Sequence, residues 1–184
     1  MGVSGEMAGV FEVMGLLRST LAVYREELGL LDCEVPQGGD GSSVPAGTPE
    51  GVRELMAASD GLYLDHSCRL YRADELADRQ WAEGLEGAGL PGGGVLEDTS
   101  RFFYFGEAAS SPLLVDRDGS VWRVPDEGCI WFTGCRVEPV AGSVEEFFFE
   151  WIAGERFRDL AGLDAEGVET SHWYRVLGLA GRVG

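Results

Sequence analysis

Apolar residues recur at three- and four-residue steps at the start of the chain. Met7, Val10, Phe11, Met14, Leu17, Leu21, Tyr24, Leu28 and Leu31 predict one amphipathic helix over residues 6–31, packed on the rest of the protein. The pattern then stops at PQGGDGSSVPAG, residues 36–47, a Gly/Ser/Pro segment read as a linker or mobile loop. Thr48, Pro49 and Glu50 together predict a helix start, with Thr48 as the capping side chain. That helix, 49–59, turns Val52, Leu55 and Met56 inward and is expected to end through Gly61. Short extended pieces follow at Leu62–Leu64 and Arg69–Tyr71, then a helix over Ala73–Leu85 with Leu76, Trp81 and Leu85 toward the core, then a Gly-rich loop at 86–94.

The second half changes period. Phe102–Phe105, Leu113–Val115, Val121–Val124 and Ile130–Phe132 are short β-branched or aromatic runs separated by turn residues, which predicts an antiparallel meander over 101–132. Asp118-Gly119 marks a tight hairpin turn, since both residue types tolerate positive φ. Ser143 to Glu146 has the form of a capping box opening an aromatic helix, Phe147 to Ile152, closed by Gly154. Residues 155–177 read as helical, with Phe157, Leu160, Leu163, Trp173 and Leu177 inward and a fraying tail. The expected class is α+β, organised as an N-terminal helical segment, 1–35, the linker, 36–47, and a domain over 48–177.

Composition adds a strong charge bias: 32 acidic residues against 14 basic ones give a net charge of −18. Such a field repels nucleic acid and anionic membrane and attracts basic partners, unless it serves only solubility. Every basic residue is Arg, Lys and Asn are absent, and the only isoleucines are Ile130 and Ile152. That bias is a GC-rich bacterial codon signature rather than arginine chemistry. Cys33, Cys68, Cys129 and Cys135 follow no disulfide or CxxC spacing, so a reduced, cytoplasmic setting is expected. No apolar run approaches the roughly 18 residues of a membrane span, and Glu6 stands where a signal peptide would carry positive charge.

The chemical motifs weaken on inspection. Gly87, Gly89 and Gly92 spell GxGxxG, but a predicted helix precedes them and Pro91 interrupts them, so a plain loop is the better reading than a dinucleotide site. Without lysine there is no P-loop. Asp116, Asp118 and Glu127 resemble part of a calcium loop, yet Val121 occupies the position that needs glycine. His66 and His172 show no zinc spacing. A Cys68–His172 nucleophilic pair stays open, because such partners are joined by the fold rather than the chain. The expectation is therefore no catalytic residue, no metal and no cofactor.

Five segments in order resemble the SUKH superfamily. TPEGVRELMAASDG is similar to its opening proline, short helix and Asp-Gly. CRLYRADEL resembles its strand and acidic helix start, and FFYFGEA its strand ending in Phe-Gly. LLVDRDGSVWRV resembles its hairpin, and SVEEFFFEWIAG its closing helix. The resemblance covers roughly residues 48–154, with 6–31 as the family's first helix. It implies a curved antiparallel sheet of about four to six strands with flanking helices. It also implies a non-enzymatic immunity protein that neutralises a cognate toxin domain, often a nuclease, by direct contact. The linker and the helical extension beyond Gly154 depart from the family pattern. The alternatives are an adaptor of the same fold and a small hydrolase. The acids expected to meet a basic partner border the second-half strands: Glu97, Asp98, Glu107, Asp116, Asp118, Asp126 and Glu127. An aromatic patch at Trp81 or Trp122 is the competing source of contact.

Overall fold

The computed structural model describes residues 6–29, 32–39, 43–80, 82–125 and 135–184. Among them, seven strands form one open antiparallel sheet in sequence order, β1 to β7. The strands are β1 (Cys33–Glu34), β2 (Leu62–Leu64), β3 (Cys68–Leu70), β4 (Phe102–Ala108), β5 (Ser111–Asp116), β6 (Val121–Arg123) and β7 (Glu138–Ala141). The helices are α1 (Glu6–Leu28), α2 (Glu50–Ala58), α3 (Ala73–Leu76), α4 (Val144–Phe147), α5 (Phe157–Leu160), α6 (Ala165–Thr170) and α7 (His172–Leu179). The α+β class and the antiparallel sheet agree with the sequence reading, and the meander holds through β4, β5 and β6. Ile130–Phe132 lie outside the described residues.

The side-chain alternation of β4 and β5 divides two cores. Phe105, Leu113 and Val115 face the helices, where Met14, Leu17, Phe147, Phe148, Phe157 and Trp173 complete the larger cluster. Phe102, Tyr104 and Leu114 face the other way, onto Leu85, Ala88, Leu96 and Val137. The Gly-rich loop thus covers the second face of the sheet. Gly89 donates to the Cys135 carbonyl at 3.1 Å and accepts from Val137 at 3.0 Å, so the glycine motif is a structural strap. Where β4 bulges between Tyr104 and Gly106, a Cβ on Gly106 would lie 2.5 Å from the Arg69 carbonyl, so only glycine lets β3 approach.

Several local expectations are corrected. The helix over Ala73–Leu85 breaks after one turn. A tighter turn follows over Ala77–Arg79, and Gln80 after it donates its side-chain amide to the Tyr104 carbonyl at 2.9 Å and accepts from the Tyr104 N–H at 3.0 Å. The amide thereby occupies the backbone groups of β4 beyond its pairing with β3. Residues 155–177 form three short helices, because Asp164 and Ser171 bond the backbone N–H groups of Gly167 and Tyr174 and so start new helices. The tail is held rather than frayed: Arg182 donates to the Ala153 carbonyl at 3.0 Å and the Gly184 N–H to Glu155 at 2.9 Å.

The Thr48 hydroxyl donates back to Pro45 and does not cap α2, whose first residue follows Pro49. That helix ends at Ala58, three residues short of Gly61. In α1, Val10, Met14, Leu17 and Leu21 are buried, but Phe11 is 48% exposed. Within the segment read as a linker, residues 36–39 are strapped to the helices. The Pro36 carbonyl accepts from Arg18 at 2.6 Å and from Ser59 at 2.8 Å, and Gly39 donates to Met56 at 3.2 Å. At the β5–β6 turn only Gly119 has positive φ, at 88°. Asp116 pairs with Ser120 around a three-residue loop in place of the expected two-residue turn.

Candidate functional site: an acid-rimmed groove

The start of α2, the start of α4 and the β5–β6 turn converge on an open groove of about 640 Å³. Glu50 and Glu54 line it from α2, Glu145 from α4 and Asp118 from the turn, together with Arg101 and Arg117. Glu50 and Glu145 lie in the first turns of their helices, where an acid also suits the helix dipole.

The two cations are occupied. Arg117 donates to the Ser100 hydroxyl at 2.8 Å and pairs with Asp98 at 3.6 Å. Arg101 pairs with Asp116 at 3.5 Å and lies over the Phe102 and Trp122 rings. By contrast, Glu50, Glu54 and Asp118 make no ion pair among the described residues. The groove therefore presents uncompensated negative charge.

The acids singled out from sequence do not form one face. Glu97, Asp98, Asp116 and Asp118 gather at one corner, but their environments differ. Asp116 is buried, accepting from Trp122 Nε1 at 2.8 Å and from the Asp118 and Ser120 N–H groups at 3.0 Å each. Its carboxylate builds the turn and is taken up by these bonds. Asp98 caps the short helical turn Thr99–Arg101, and the hydrogen bond from the Ser100 hydroxyl, followed by the charge of Arg117, holds its carboxyl below the usual range. Glu97 and Asp118 are exposed.

Glu107 lies toward the far end of β4, about 16 Å from Phe102 at strand rise. There it accepts from the Tyr71 hydroxyl at 3.3 Å. Burial, then the Glu107 charge, pushes Tyr71 up to about 12. Asp126 and Glu127 lie outside the described residues, as does Trp81. Trp122 is half-buried against Asp116, so it offers little of an aromatic platform. Glu50, Glu54 and Glu145 were not among the acids singled out from sequence, which were sought at the strand borders, and Glu50 was read only as part of a helix start.

Cys33 and Cys68 are not set up as nucleophiles. Burial first, then the charges of Glu107 and Asp65, pushes the Cys68 thiol far up. The buried Cys33 thiol is pushed up by burial and by Asp65, to which it is hydrogen bonded at 3.2 Å. His172 engages Asp32 instead of a cysteine. Alkylation at mild alkaline pH, followed by peptide mapping, should leave Cys33 and Cys68 unmodified in the folded protein and modify both in urea. Rapid labelling of either in the native state would contradict the thiol assignment.

Compared with known proteins, the chain matches no protein-family model and no curated protein.

Proposed function

We propose that the protein is an immunity-type binding protein that occludes a cognate toxin domain, a nuclease, by direct contact. The observation that carries this reading is the groove whose arginines are consumed internally while Glu50, Glu54 and Asp118 stay unpaired. A nuclease must present positive charge to hold phosphates, and an acidic groove both steers toward that surface and competes for it. The net charge of −18 extends the same field over the whole molecule. The open antiparallel sheet with helices on one face agrees with the architecture that the SUKH resemblance implies. The raised thiols speak against a cysteine hydrolase.

Capture of the native partner from its own cells, followed by an activity assay on that partner, tests the reading. One dominant basic protein, whose nucleic-acid cleavage stops at a 1:1 ratio, is the expected result. Several partners whose activities are unchanged would replace it with an adaptor role.

A further inference from the structure

Away from the groove, two carboxylates gather around a buried thiol where β1, β2 and the start of α7 meet. Cys33 pairs with Leu64 across β1 and β2. Extending that register sets Asp65 opposite Asp32, and the Asp65 N–H donates to the Asp32 carbonyl at 3.2 Å. Asp65 holds positive φ, at 57°, so it leaves the alternation of the strand, and its carboxylate accepts from the Cys33 thiol at 3.2 Å. One donor atom from each of Asp32, Cys33 and Asp65 lies within 4.8 Å of the other two. We propose that these three residues form a binding site for one Zn²⁺ ion, with water in the fourth position.

One thiolate with two carboxylates is a donor set of mixed softness. It suits zinc or cobalt(II) and disfavours calcium and magnesium, which prefer oxygen ligands alone. With Zn–S near 2.3 Å and Zn–O near 2.1 Å, sulfur and oxygen donors on a tetrahedral ion stand about 3.6 Å apart, and two oxygens about 3.4 Å. The Cys33–Asp65 separation of 3.2 Å is already close to that spacing. Closing the rest of the group, at most 4.8 Å apart, takes a movement of about an ångström. The ion takes the place of the thiol proton between Cys33 and Asp65, and that proton passes to solvent. The Asp32 side chain is 23% exposed, which leaves a path for the ion and a position for the water.

The surroundings favour a cation and hold its ligands. Cys33 has no exposed surface, and its thiol is aimed at a carboxylate of the same group. Burial first, then the charge of Asp65 and more weakly that of Asp32, pushes this thiol far up. The spot is therefore strongly negative, and a dication supplies the compensation that the proton now gives. Outer contacts orient both carboxylates, as they do for metal-binding carboxylates in general. His172 Nδ1 lies 2.6 Å from Asp32 Oδ1, and Asp65 accepts from the Trp173 N–H at 2.8 Å and from the Ser171 hydroxyl. The histidines thus stand outside the donor group and support it. Asp65 joins Asp32 and Cys33 only through the pairing of β1 with β2, which is why sequence spacing gave no metal signature.

The test uses the full chain without a polyhistidine tag, kept reduced, stripped with chelator and titrated with ZnCl₂, with CoCl₂ and CaCl₂ in parallel. Native mass spectrometry should show one Zn²⁺ per chain, and the melting temperature should rise with added Zn²⁺, since an ion that binds only the folded state stabilises it. The Co²⁺ complex should show a thiolate-to-metal charge-transfer band in the near ultraviolet, and Cys33→Ser should abolish it. Asp32 lies at the partly exposed rim of the group, so Asp32→Asn should stay folded and weaken Zn²⁺ binding at least about tenfold. His66→Gln should bind Zn²⁺ as tightly as wild type. The proposal is overturned if the wild type keeps no ion, if the Co²⁺ complex lacks the thiolate band, if Ca²⁺ binds as tightly as Zn²⁺, or if affinity depends on His66 and not on Asp32.

Discussion

Trp173→Ala should lower the free energy of unfolding by about 3–5 kcal/mol, the range for removing a fully buried tryptophan. Trp173 has no exposed surface and is the largest such side chain among the described residues. It joins α7 to the π-helical turn Phe148–Ile152, donating its indole N–H to the Ile152 carbonyl at 2.8 Å and meeting the Phe157 ring edge-on at 6.4 Å. Truncation leaves both a cavity and an unpaired buried carbonyl, and the two costs add. The extension beyond Gly154 is thereby an integral layer of the core. Equilibrium urea unfolding, followed by tryptophan-independent circular dichroism, measures the loss. A change below about 1 kcal/mol would mean that α7 is not packed as described.

Five of the seven strands, β2 to β6, were legible because each carries its own evidence, whereas β1 and β7 were not read from the sequence. Phe102–Phe105 and Leu113–Val115 are apolar runs bounded by turn residues, and strands in sequence order need no long-range pairing rule. The breaks in helices were not legible, since they depend on side chains acting at a distance or as new caps. Gln80 turns its amide onto β4 rather than continuing the helix, and its partner Tyr104 lies beside it only in space. Asp116 was read as a surface acid from its place next to a turn, yet the indole of Trp122 six residues on draws it inward. The groove was half visible: Asp116 and Asp118 were named, but Glu50, Glu54 and Glu145 come from helices that only the fold brings to the same place.

Neutralising the groove should produce the largest effect on binding. The triple variant Glu50→Gln, Glu54→Gln and Asp118→Asn removes three carboxylates without touching the Asp116 hub or the Asp98–Arg117 pair. Because these acids have no cationic partner among the described residues, their field is available to an approaching basic surface. Steering of this kind raises association rates by about 10–10³-fold, so losing it should slow association about tenfold or more at low salt. Dissociation should change less, since rim charges act mainly on encounter. The loss of stability should stay within about 1 kcal/mol, the worth of Glu50 at the start of α2, because Glu50 and Asp118 are exposed and Glu54 is half-buried.

The most direct measurement is stopped-flow association of wild type and this variant with the partner captured from native cells. It should run from about 0.01 M to about 1 M ionic strength, which shortens the screening length from about 30 Å to about 3 Å. The wild-type rate should fall steeply over that range and converge on the variant's lower, flatter curve at high salt. Rates that ignore salt, with variant and wild type indistinguishable throughout, would contradict an electrostatically steered inhibitor and move the contact away from the groove.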